Sequence, residues 1–373
     1  MKVAIIHPWL PQYRTRFFES LYSICRENGV DLHIFYGETP REWSARNDSA
    51  TTSVATELRT RFFQVRNRTL SFKDRKVVRE EGPFDLLILE QAIRNLETYS
   101  YLIDKRVSRK VAFWGHGKTY TAEKGRLEEW VKSFVTRRGT WFFGYTDGGT
   151  EAVVRNGFDA ERTTVVQNSI DTEGLRASLD EISAAEVHTF RSSRGLGSHT
   201  ALYLGGVDEA KRIPFLLDCA AVIGSTDPEF SLLIAGSGSM IDYVRDRASR
   251  EAWIVPLGST FGREKALAMR SAQMLMIPGR VGLVAVDSLV AGLPIITTDW
   301  PLHAPEFEYL EDGRTCVIAD DDVDSYARAV AELFKDGVQL GDMRTQCLLE
   351  APRFSATEMA ERFFDGILKA VQS

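Results

Sequence analysis

The stretch MIPGRVGLVAVDSLVAGLPIITTD, residues 276–299, predicts one β-α-β unit. An apolar strand ends at Pro278, and a helix is predicted to begin at Gly282 and end at Gly292. A second apolar strand, residues 294–298, completes the unit. In open α/β sheets, ligands bind at the turn that follows such a strand. The stretch therefore indicates both a fold class and a candidate ligand site.

The start of this predicted helix suits an anion. The first N–H groups of a helix lack partners within it, and the helix dipole is positive at that end. Gly282, Leu283 and Val284 are therefore predicted to hold a phosphate. Asp287, one turn further on, is the only carboxylate of the helix and is predicted to accept hydrogen bonds from a ribose. The alternative is an ordinary capped helix with Asp287 facing solvent.

This turn and helix resemble the donor-nucleotide motif of glycosyltransferase family 4, whose members are retaining enzymes of the GT-B fold. In that motif two Glu residues separated by seven positions bracket a Gly-Phe-Gly-Leu turn. Aligning residues 282–284 on the turn places Asp287 at the second Glu, the ribose ligand. The first Glu, which contacts donor-sugar hydroxyls in the family, falls on Gly279. The resemblance thus implies the diphosphate and ribose contacts and leaves the sugar contact unassigned.

A second strand-turn-helix carries basic residues. Gly205 and Gly206 follow an apolar strand, and Lys211 and Arg212 come just before the next helix. The family pattern is Gly-Arg, four residues, then Lys. Lys211 matches the Lys, whereas Gly206 replaces the Arg. Arg212 and Arg280 are the nearest basic substitutes, and Arg280 is expected to supply part of the missing charge.

Two further glycine turns, at Gly236 and Gly258, follow apolar strands and are predicted to line the same site. In the family, the loop after the strand that ends at Gly258 lines the nucleobase mostly through backbone atoms. The predicted donor-binding residues are Gly205, Gly206, Lys211, Arg212, Gly236, Gly258, Arg280, Gly282, Leu283, Val284 and Asp287.

The first half of the chain begins with another strand-turn-helix. Its strand ends at His7, and the following turn is rich in proline and aromatic residues up to Tyr13 and Arg14. The turn lacks the GxGxxG pattern, which argues against a dinucleotide cofactor. Its composition suits stacking on an acceptor sugar or contact with lipid headgroups. His7, Tyr13 and Arg14 are therefore predicted to lie on the acceptor side.

A histidine between two glycines, His116, follows the apolar strand at residues 111–114. Its simplest role is a structural hydrogen bond. In the resembled family, a His at the end of this strand touches the reacting sugar or the acceptor. The resemblance therefore implies that His116 positions a hydroxyl group, and it makes His116 and Lys211 the predicted catalytic residues.

The resemblance implies two doubly wound, Rossmann-like α/β domains that face each other across a cleft. Residues 1–175 are predicted to form the acceptor-side domain, and residues 199–354 the nucleotide-sugar domain. The polar stretch 176–198 is predicted as the linker region, and a final helix, 355–373, is predicted to return to the first domain. Residues 166–171 are similar to the family's Asn-Gly-Val-Asp junction between domains.

Composition places the 373 residues among globular proteins, with 44% hydrophobic and 26% charged residues. The chain lacks an apolar run of about 18 residues and a visible export signal, so a soluble, cytoplasmic protein is expected. Four scattered cysteines indicate reduced thiols. We see no metal-binding or nucleic-acid motif, and the acidic run 320–322 is expected to cap a helix. No cofactor is therefore expected.

Charge is distributed unevenly along the chain. Residues 1–170 carry 27 Lys and Arg against 21 Asp and Glu, whereas the remainder carries 19 against 31. This asymmetry suggests that the first half meets an anionic partner such as a membrane face, the alternative being drift in surface composition. Residues 59–79, basic and aromatic, are either a membrane-surface patch or a solvated face over a half-buried strand.

The resemblance implies transfer of a sugar from a nucleoside diphosphate sugar, with UDP or GDP expected, to an acceptor hydroxyl. It also implies retention at the anomeric carbon without a metal, the departing phosphate oxygen taking the acceptor proton. Polysaccharide, lipid-linked glycan and natural-product acceptors all remain open. The alternatives are a nucleotide-sugar epimerase on the same fold, or a non-catalytic nucleotide-sugar-binding or scaffold subunit whose donor site has decayed at Gly206 and Gly279.

Overall fold

The computed structural model describes residues 1–40, 49–66, 68–120 and 126–373, without the side chains of Arg126 and Leu127. The chain divides into two compact units, Met1–Asp171 with Ala356–Ser373, and Thr172–Ser355. Each unit contains one large sheet of parallel strands connected through helices. The predicted class, two doubly wound α/β domains, is therefore confirmed.

The first unit is built on a seven-stranded sheet in the order β3-β2-β1-β6-β7-β8-β9, and a separate hairpin, β4-β5, forms a two-stranded sheet. Its strands are β1 (Lys2–His7), β2 (Asp31–Gly37), β3 (Ala55–Leu58), β4 (Thr60–Val65), β5 (Arg68–Lys73), β6 (Phe84–Glu90), β7 (Ser108–Gly115), β8 (Trp141–Gly144) and β9 (Thr163–Val165). Its helices are α1 (Gln12–Glu27), α2 (Lys76–Glu81), α3 (Glu97–Ile103), α4 (Arg126–Thr136), α5 (Asp147–Arg155) and, from the end of the chain, α14 (Ala356–Gln372).

Two apolar clusters form the core of the first unit. One joins α1 and α14 to the sheet and includes Phe17, Trp114 and Phe363. The other joins the four helices α2, α3, α4 and α5 to the sheet and includes Val78 and Val135. The two clusters take alternate residues of the central strands, as expected for a sheet covered on both faces.

The second unit is built on a six-stranded parallel sheet in the order β12-β11-β10-β13-β14-β15. Its strands are β10 (His199–Leu204), β11 (Phe230–Ala235), β12 (Ile254–Gly258), β13 (Met274–Met276), β14 (Ile295–Thr298) and β15 (Cys316–Ala319). Its helices are α6 (Thr172–Asp180), α7 (Ala184–Ser193), α8 (Ile213–Thr226), α9 (Ile241–Ala248), α10 (Gly262–Ser271), α11 (Val284–Ala291), α12 (Val323–Lys335) and α13 (Gly337–Glu350).

The prediction of a polar linker at residues 176–198 is wrong. Most of that stretch lies in α6 and α7, which belong to the second unit and pack against its other helices. Leu179, Ile182 and Phe190 are buried there. These few apolar residues are enough because α6 packs against α10 and α11 and α7 packs against α10, while several polar residues between them remain exposed.

The return of the last helix to the first unit generates a stability prediction. Phe363 on α14 is fully buried, and its ring stacks on Phe143 with centroids 4.4 Å apart. Phe363→Ala should lower the free energy of unfolding by about 3–5 kcal/mol, since it leaves a cavity in the core. Phe63→Ala, at an exposed ring, should change it by less than about 0.5 kcal/mol. Urea unfolding curves measure both, and equal losses would contradict the packing.

Candidate functional site

The predicted donor residues gather at the carboxyl edge of the second sheet. In that sheet β10 lies between β11 and β13, so the strand order reverses between β10 and β13. The turn after β10 carries Lys211, and the turn after β13 carries Arg280 and Gly282. A reversal of this kind opens a crevice where α/β proteins bind ligands. The structure therefore places the two predicted phosphate turns side by side.

A close main-chain contact joins these two turns. A Cβ atom built on Gly279 would lie 2.7 Å from the carbonyl carbon and oxygen of Lys211. The Lys211 ammonium donates a hydrogen bond of 2.5 Å to the Arg280 carbonyl oxygen, and the Arg280 N–H donates to the Ala210 carbonyl at 3.4 Å. A glutamate at position 279 would therefore displace the Lys211 turn. This contact is a physical reason for the glycine at the position of the family's first Glu.

The start of α11 offers free donors. The backbone N–H groups of Gly282, Leu283 and Val284 have no acceptor in the described part of the chain, and no side chain caps the helix. Regular helix begins at Val284 rather than at the predicted Gly282, after a turn in which the Ala285 N–H donates to the Gly282 carbonyl at 2.9 Å. Three adjacent N–H groups in this position suit an anion.

Asp287 is buried, whereas the alternative interpretation expected it to face solvent. It is 7% exposed, and its Oδ1 accepts a hydrogen bond of 2.5 Å from the Lys265 ammonium. Lys265 lies on α10, and nothing in the local pattern around Asp287 signals it. One carboxylate oxygen is therefore already occupied, and the predicted ribose contact stays a prediction for the second oxygen, Oδ2.

The Arg212 side chain is held by its own unit. Its guanidinium pairs with the Asp321 carboxylate and lies 4.1 Å and 4.4 Å from the ring centroids of Phe215 and Trp300. Asp322, in the predicted capping run, accepts a hydrogen bond of 2.8 Å from the Ser325 N–H at the start of α12. Arg212 therefore links the turn after β10 to the segment that follows β15. Its predicted contact with the sugar donor stays a prediction.

Arg280 lies among acidic groups. Burial lowers the pKa of Arg280, and the negative charges of Glu306 and Asp208 oppose that shift. Glu306 is 3% exposed, and its Oε2 would lie 3.8 Å from a Cβ built on Gly282. The positive charge that Arg280 adds to this edge is therefore partly balanced. Its expected role in replacing the family's missing Arg stays a prediction.

A buried histidine that was not among the predicted residues braces the donor turn. His303 Nδ1 accepts a hydrogen bond of 3.1 Å from the Val281 N–H, and its Nε2–H donates to the Thr298 carbonyl at 3.0 Å. Burial lowers the pKa of His303, and the nearby cations Lys211, Arg280 and Arg212 lower it further. The ring is therefore neutral and fixes the turn after β13 to the end of β14.

The remaining glycine turns pack on one another. The Gly205 N–H donates to the Ala235 carbonyl at 3.0 Å, and the Gly236 N–H donates to the Gly258 carbonyl at 2.7 Å. The Tyr203 hydroxyl donates to the Gly206 carbonyl. These contacts bring all four predicted glycines to the same sheet edge. They also occupy the N–H groups of Gly205 and Gly236, so those two groups serve the turns themselves in this structure.

Two of the predicted acceptor residues are buried. His7 donates from Nδ1 to the Trp9 carbonyl at 2.6 Å, and burial lowers its pKa to about 3.

Arg14 is 1% exposed and donates to Asn168 Oδ1 at 2.5 Å. Among the described residues, no carboxylate lies within ion-pair distance of Arg14. Its guanidinium lies 5.0–5.2 Å from the ring centroids of Tyr13, Trp114 and Tyr145. Direct contact between Arg14 and an acceptor does not match this burial.

His116 is exposed, as its predicted role requires, and follows β7 directly. Its ring packs edge-on against Tyr145, with centroids 4.5 Å apart. The next residue must be glycine, since Gly117 has φ +74° and a Cβ there would lie 1.8 Å from the Gly149 carbonyl oxygen. The Gly117 N–H donates to Gln91 Oε1 at 3.0 Å. The backbone that carries His116 is therefore held in place.

Part of the chain is similar to known glycosyltransferases. Residues 198–336 match the family model described as Glycosyl transferases group 1. An alignment over 139 residues shows 32% identity to phosphatidyl-myo-inositol mannosyltransferase of Mycobacterium tuberculosis. The alignment covers 34% of this chain and 36% of that protein, so the chain matches about a third of the relative's length.

Solved structures match the chain over nearly its whole length. HepE of Anabaena, solved in complex with UDP, is 12% identical with a TM-score of 0.73, covering 99% of this chain and 100% of HepE. A glycosyltransferase from Rickettsia africae is 9% identical with a TM-score of 0.73, covering 100% and 98% of the two chains. At these identities the likeness shows the fold, which is the GT-B fold. With the family match, it supports a glycosyltransferase.

The contact between Gly279 and Lys211 generates a prediction. Gly279→Glu, which introduces the acidic residue of the resembled motif, should lower the free energy of unfolding by about 1–3 kcal/mol, because the new side chain forces the Lys211 turn to move. Gly341→Glu makes the same change on α13, where a Cβ meets nothing within 4 Å, and should be nearly neutral. Urea unfolding measures both. A Gly279→Glu protein as stable as Gly341→Glu would contradict the close contact.

Proposed function

We propose that this chain is a retaining, metal-independent glycosyltransferase that moves a sugar from a nucleoside diphosphate sugar to an acceptor hydroxyl. One observation carries the proposal. The Lys211 turn and the three unbonded N–H groups at the start of α11 lie together where the second sheet reverses its strand order. This arrangement falls within the segment that matches the glycosyltransferase family model.

The chemistry requires a group that stabilises the leaving diphosphate. As the bond to the sugar breaks, negative charge builds up on the phosphate oxygens, and preorganised donors lower the barrier most when they face that charge. The α11 N–H groups and the Lys211 ammonium supply such donors, with part of the Arg280 charge. The departing phosphate oxygen then takes the proton of the acceptor hydroxyl, and His116 positions that hydroxyl.

We further propose that the nucleotide is UDP or GDP. HepE, which shares the fold, was solved with UDP and with UDP-glucose. In this chain the second oxygen of Asp287 would accept from the ribose hydroxyls, since its first oxygen is bound to Lys265. The loop after Gly258 would line the base through backbone atoms.

A second candidate is a non-catalytic nucleotide-sugar-binding or scaffold subunit. It is favoured by the carboxylates of Glu306 and Asp208 beside Arg280, which reduce the positive charge available to a diphosphate. Glycine at positions 206 and 279 favours it as well. The two candidates differ in turnover: the transferase releases UDP or GDP from a nucleotide sugar, and the scaffold does not.

Lys211→Met should weaken binding of UDP or GDP about 10- to 100-fold, because it removes a charged donor from a diphosphate site. Isothermal titration calorimetry with each nucleotide measures the affinity. Lys335→Met, at an exposed lysine of the same unit, is the matched control and should bind as the wild type does. An unchanged affinity in Lys211→Met, or no heat of binding in the wild type, would refute the proposed donor site.

The proposal extends to a membrane-associated acceptor, in polysaccharide, lipid-linked glycan or natural-product glycosylation. No helix of the described residues is long and apolar enough to cross a bilayer, so such contact would be through a surface. The β4-β5 hairpin exposes Phe62, Phe63 and Val65. The neighbouring helix α4, tied to the hairpin by an ion pair between Arg68 and Glu128, exposes Trp130 and Phe134.

This surface combines aromatic rings with cations. Arg61 and Arg66 on the hairpin are exposed, and neither forms an ion pair with another described residue. Exposed aromatic side chains beside unpaired arginines suit the interface of an anionic bilayer. The alternative of a solvated face leaves several large apolar side chains in water, which soluble surfaces seldom cluster.

Changing Arg61 and Arg66 together to Gln should weaken binding to vesicles that contain anionic lipid by about 30-fold, at about 1 kcal/mol per arginine. Arg245 and Arg250, exposed on the second unit, changed together to Gln provide a charge-matched control that should not weaken it. Co-sedimentation with phosphatidylglycerol-containing vesicles gives the partition coefficient. Equal binding by the two double variants would show that the hairpin is a solvated face.

A further inference from the structure

A polar cluster at the carboxyl edge of the first sheet has no role in the donor chemistry. In that sheet β1 lies between β2 and β6, so the strand order reverses between β1 and β6. His7 is the last residue of β1, and Glu90 is the last residue of β6. The neighbouring strand β7 ends at Gly115, just before His116. The crevice expected at a strand-order reversal therefore has His7 on one side and Glu90 on the other.

Glu90 is held in a fixed orientation. Its Oε2 accepts a hydrogen bond of 3.1 Å from the Asn95 side-chain amide, and Asn95 Oδ1 in turn accepts from the Ser71 hydroxyl at 2.9 Å. The second oxygen of Glu90, Oε1, has no hydrogen-bond partner in the described part of the chain. The residue is half-buried rather than covered. One oriented oxygen therefore remains available to a ligand at this edge.

The charges around Glu90 restrict the ligand. Lys73 and Glu97 form an ion pair of 2.9 Å whose side chains are each 2% exposed. Lys73 passes the end of β2, since a Cβ built on Gly37 would lie 2.8 Å from its Cε. The positive charge of the Lys73 ammonium lowers the pKa of both His7 and Glu90. Because Glu97 balances the Lys73 charge, a phosphate would meet the Glu90 carboxyl group without a free buried cation. A metal ion would find too few ligands, since no group of three or more His, Cys, Asp or Glu among the described residues could hold one.

A neutral ligand with hydroxyl donors is not repelled by the carboxyl group and needs only one acceptor oxygen. A hydroxyl group can donate to Oε1 of Glu90 and satisfy an oxygen that burial has partly removed from water. Burial raises the pKa of Glu90, and the charges of Lys73 and Lys132 and the Asn95 hydrogen bond oppose that rise. Glu97 raises the pKa of Glu90 as well. When Glu90 is ionised, Oε1 accepts from a hydroxyl group of the ligand, and when Glu90 is protonated at Oε1, its O–H donates to a hydroxyl oxygen instead.

We infer that Glu90 binds a hydroxyl group of a sugar or cyclic polyol on the acceptor side, oriented by Asn95. The inference rests on the proposed transfer to an acceptor hydroxyl. Glu90 here is a binding residue, and Asn95 and Ser71 are positioning residues.

The test uses the full chain saturated with UDP and three polyol probes: methyl α-mannopyranoside, methyl α-glucopyranoside and myo-inositol. Saturation-transfer NMR titrations give the dissociation constant of each probe. Glu90→Met keeps the side-chain length and removes the acceptor oxygens, and Glu90→Ala also removes the bulk. Both variants should bind at least one probe tenfold or more weakly than the wild type. Glu80→Met, at an exposed glutamate of α2, is the control and should bind as the wild type does.

Calorimetry with UDP on the same proteins distinguishes failure of the proposed donor site from failure of the inference about Glu90. If the wild type binds no UDP, the proposed donor site fails. If every protein binds UDP with equal affinity and both Glu90 variants bind the probes within twofold of the wild type, only the present inference is overturned. The same holds if UDP-loaded wild type binds none of the probes. Thermal midpoints within a few degrees of the wild type show that any loss is local.

Discussion

The donor edge of the second unit depends on the main-chain contact between Gly279 and the Lys211 turn. Because position 279 has no side chain, the Lys211 turn can approach closely enough for the ammonium to reach the Arg280 carbonyl at 2.5 Å. That hydrogen bond fixes a cation beside the free N–H groups of α11. A charged side chain held in place before the ligand arrives costs no reorganisation when charge develops. Glycine at position 279, where the resembled motif has Glu, is thus part of the local packing.

Sequence reasoning located this edge but not its bonding. The α11 unit was predictable because apolar strands and a helix that ends at a glycine leave a local signature, and the helix lies within two residues of its predicted bounds. The ion pair between Lys265 and Asp287 joins two helices, and the clamp of His303 joins separate strands. Neither Lys265 nor His303 is recognisable as a partner in a local sequence pattern, because both contacts depend on the tertiary arrangement.

The first unit shows the same limit for charged residues. Arg14 was predictable as a basic residue after a turn, yet its burial against aromatic rings depends on Trp114 and Tyr145, which are far away in the sequence. Aromatic faces attract a guanidinium and replace part of its lost hydration. Likewise, Lys73 belongs to the basic segment 59–79 in the sequence, but the structure buries it in an ion pair with Glu97. Charge composition therefore overstates the cations that this surface offers to an anionic partner.

The two sheet edges differ in charge as the proposed reaction requires. At the donor edge, N–H groups and an ammonium lie together where we propose that a diphosphate binds, and its charge would grow during the proposed reaction. At the acceptor edge the Lys73 charge is balanced by Glu97, and Glu90 contributes a single oriented oxygen. An acceptor hydroxyl is neutral before it reacts, so a strongly charged site would bind water or counter-ions instead. The proposed reaction therefore fits a near-neutral edge that binds an alcohol and a second edge whose hydrogen-bond donors stabilise a leaving group.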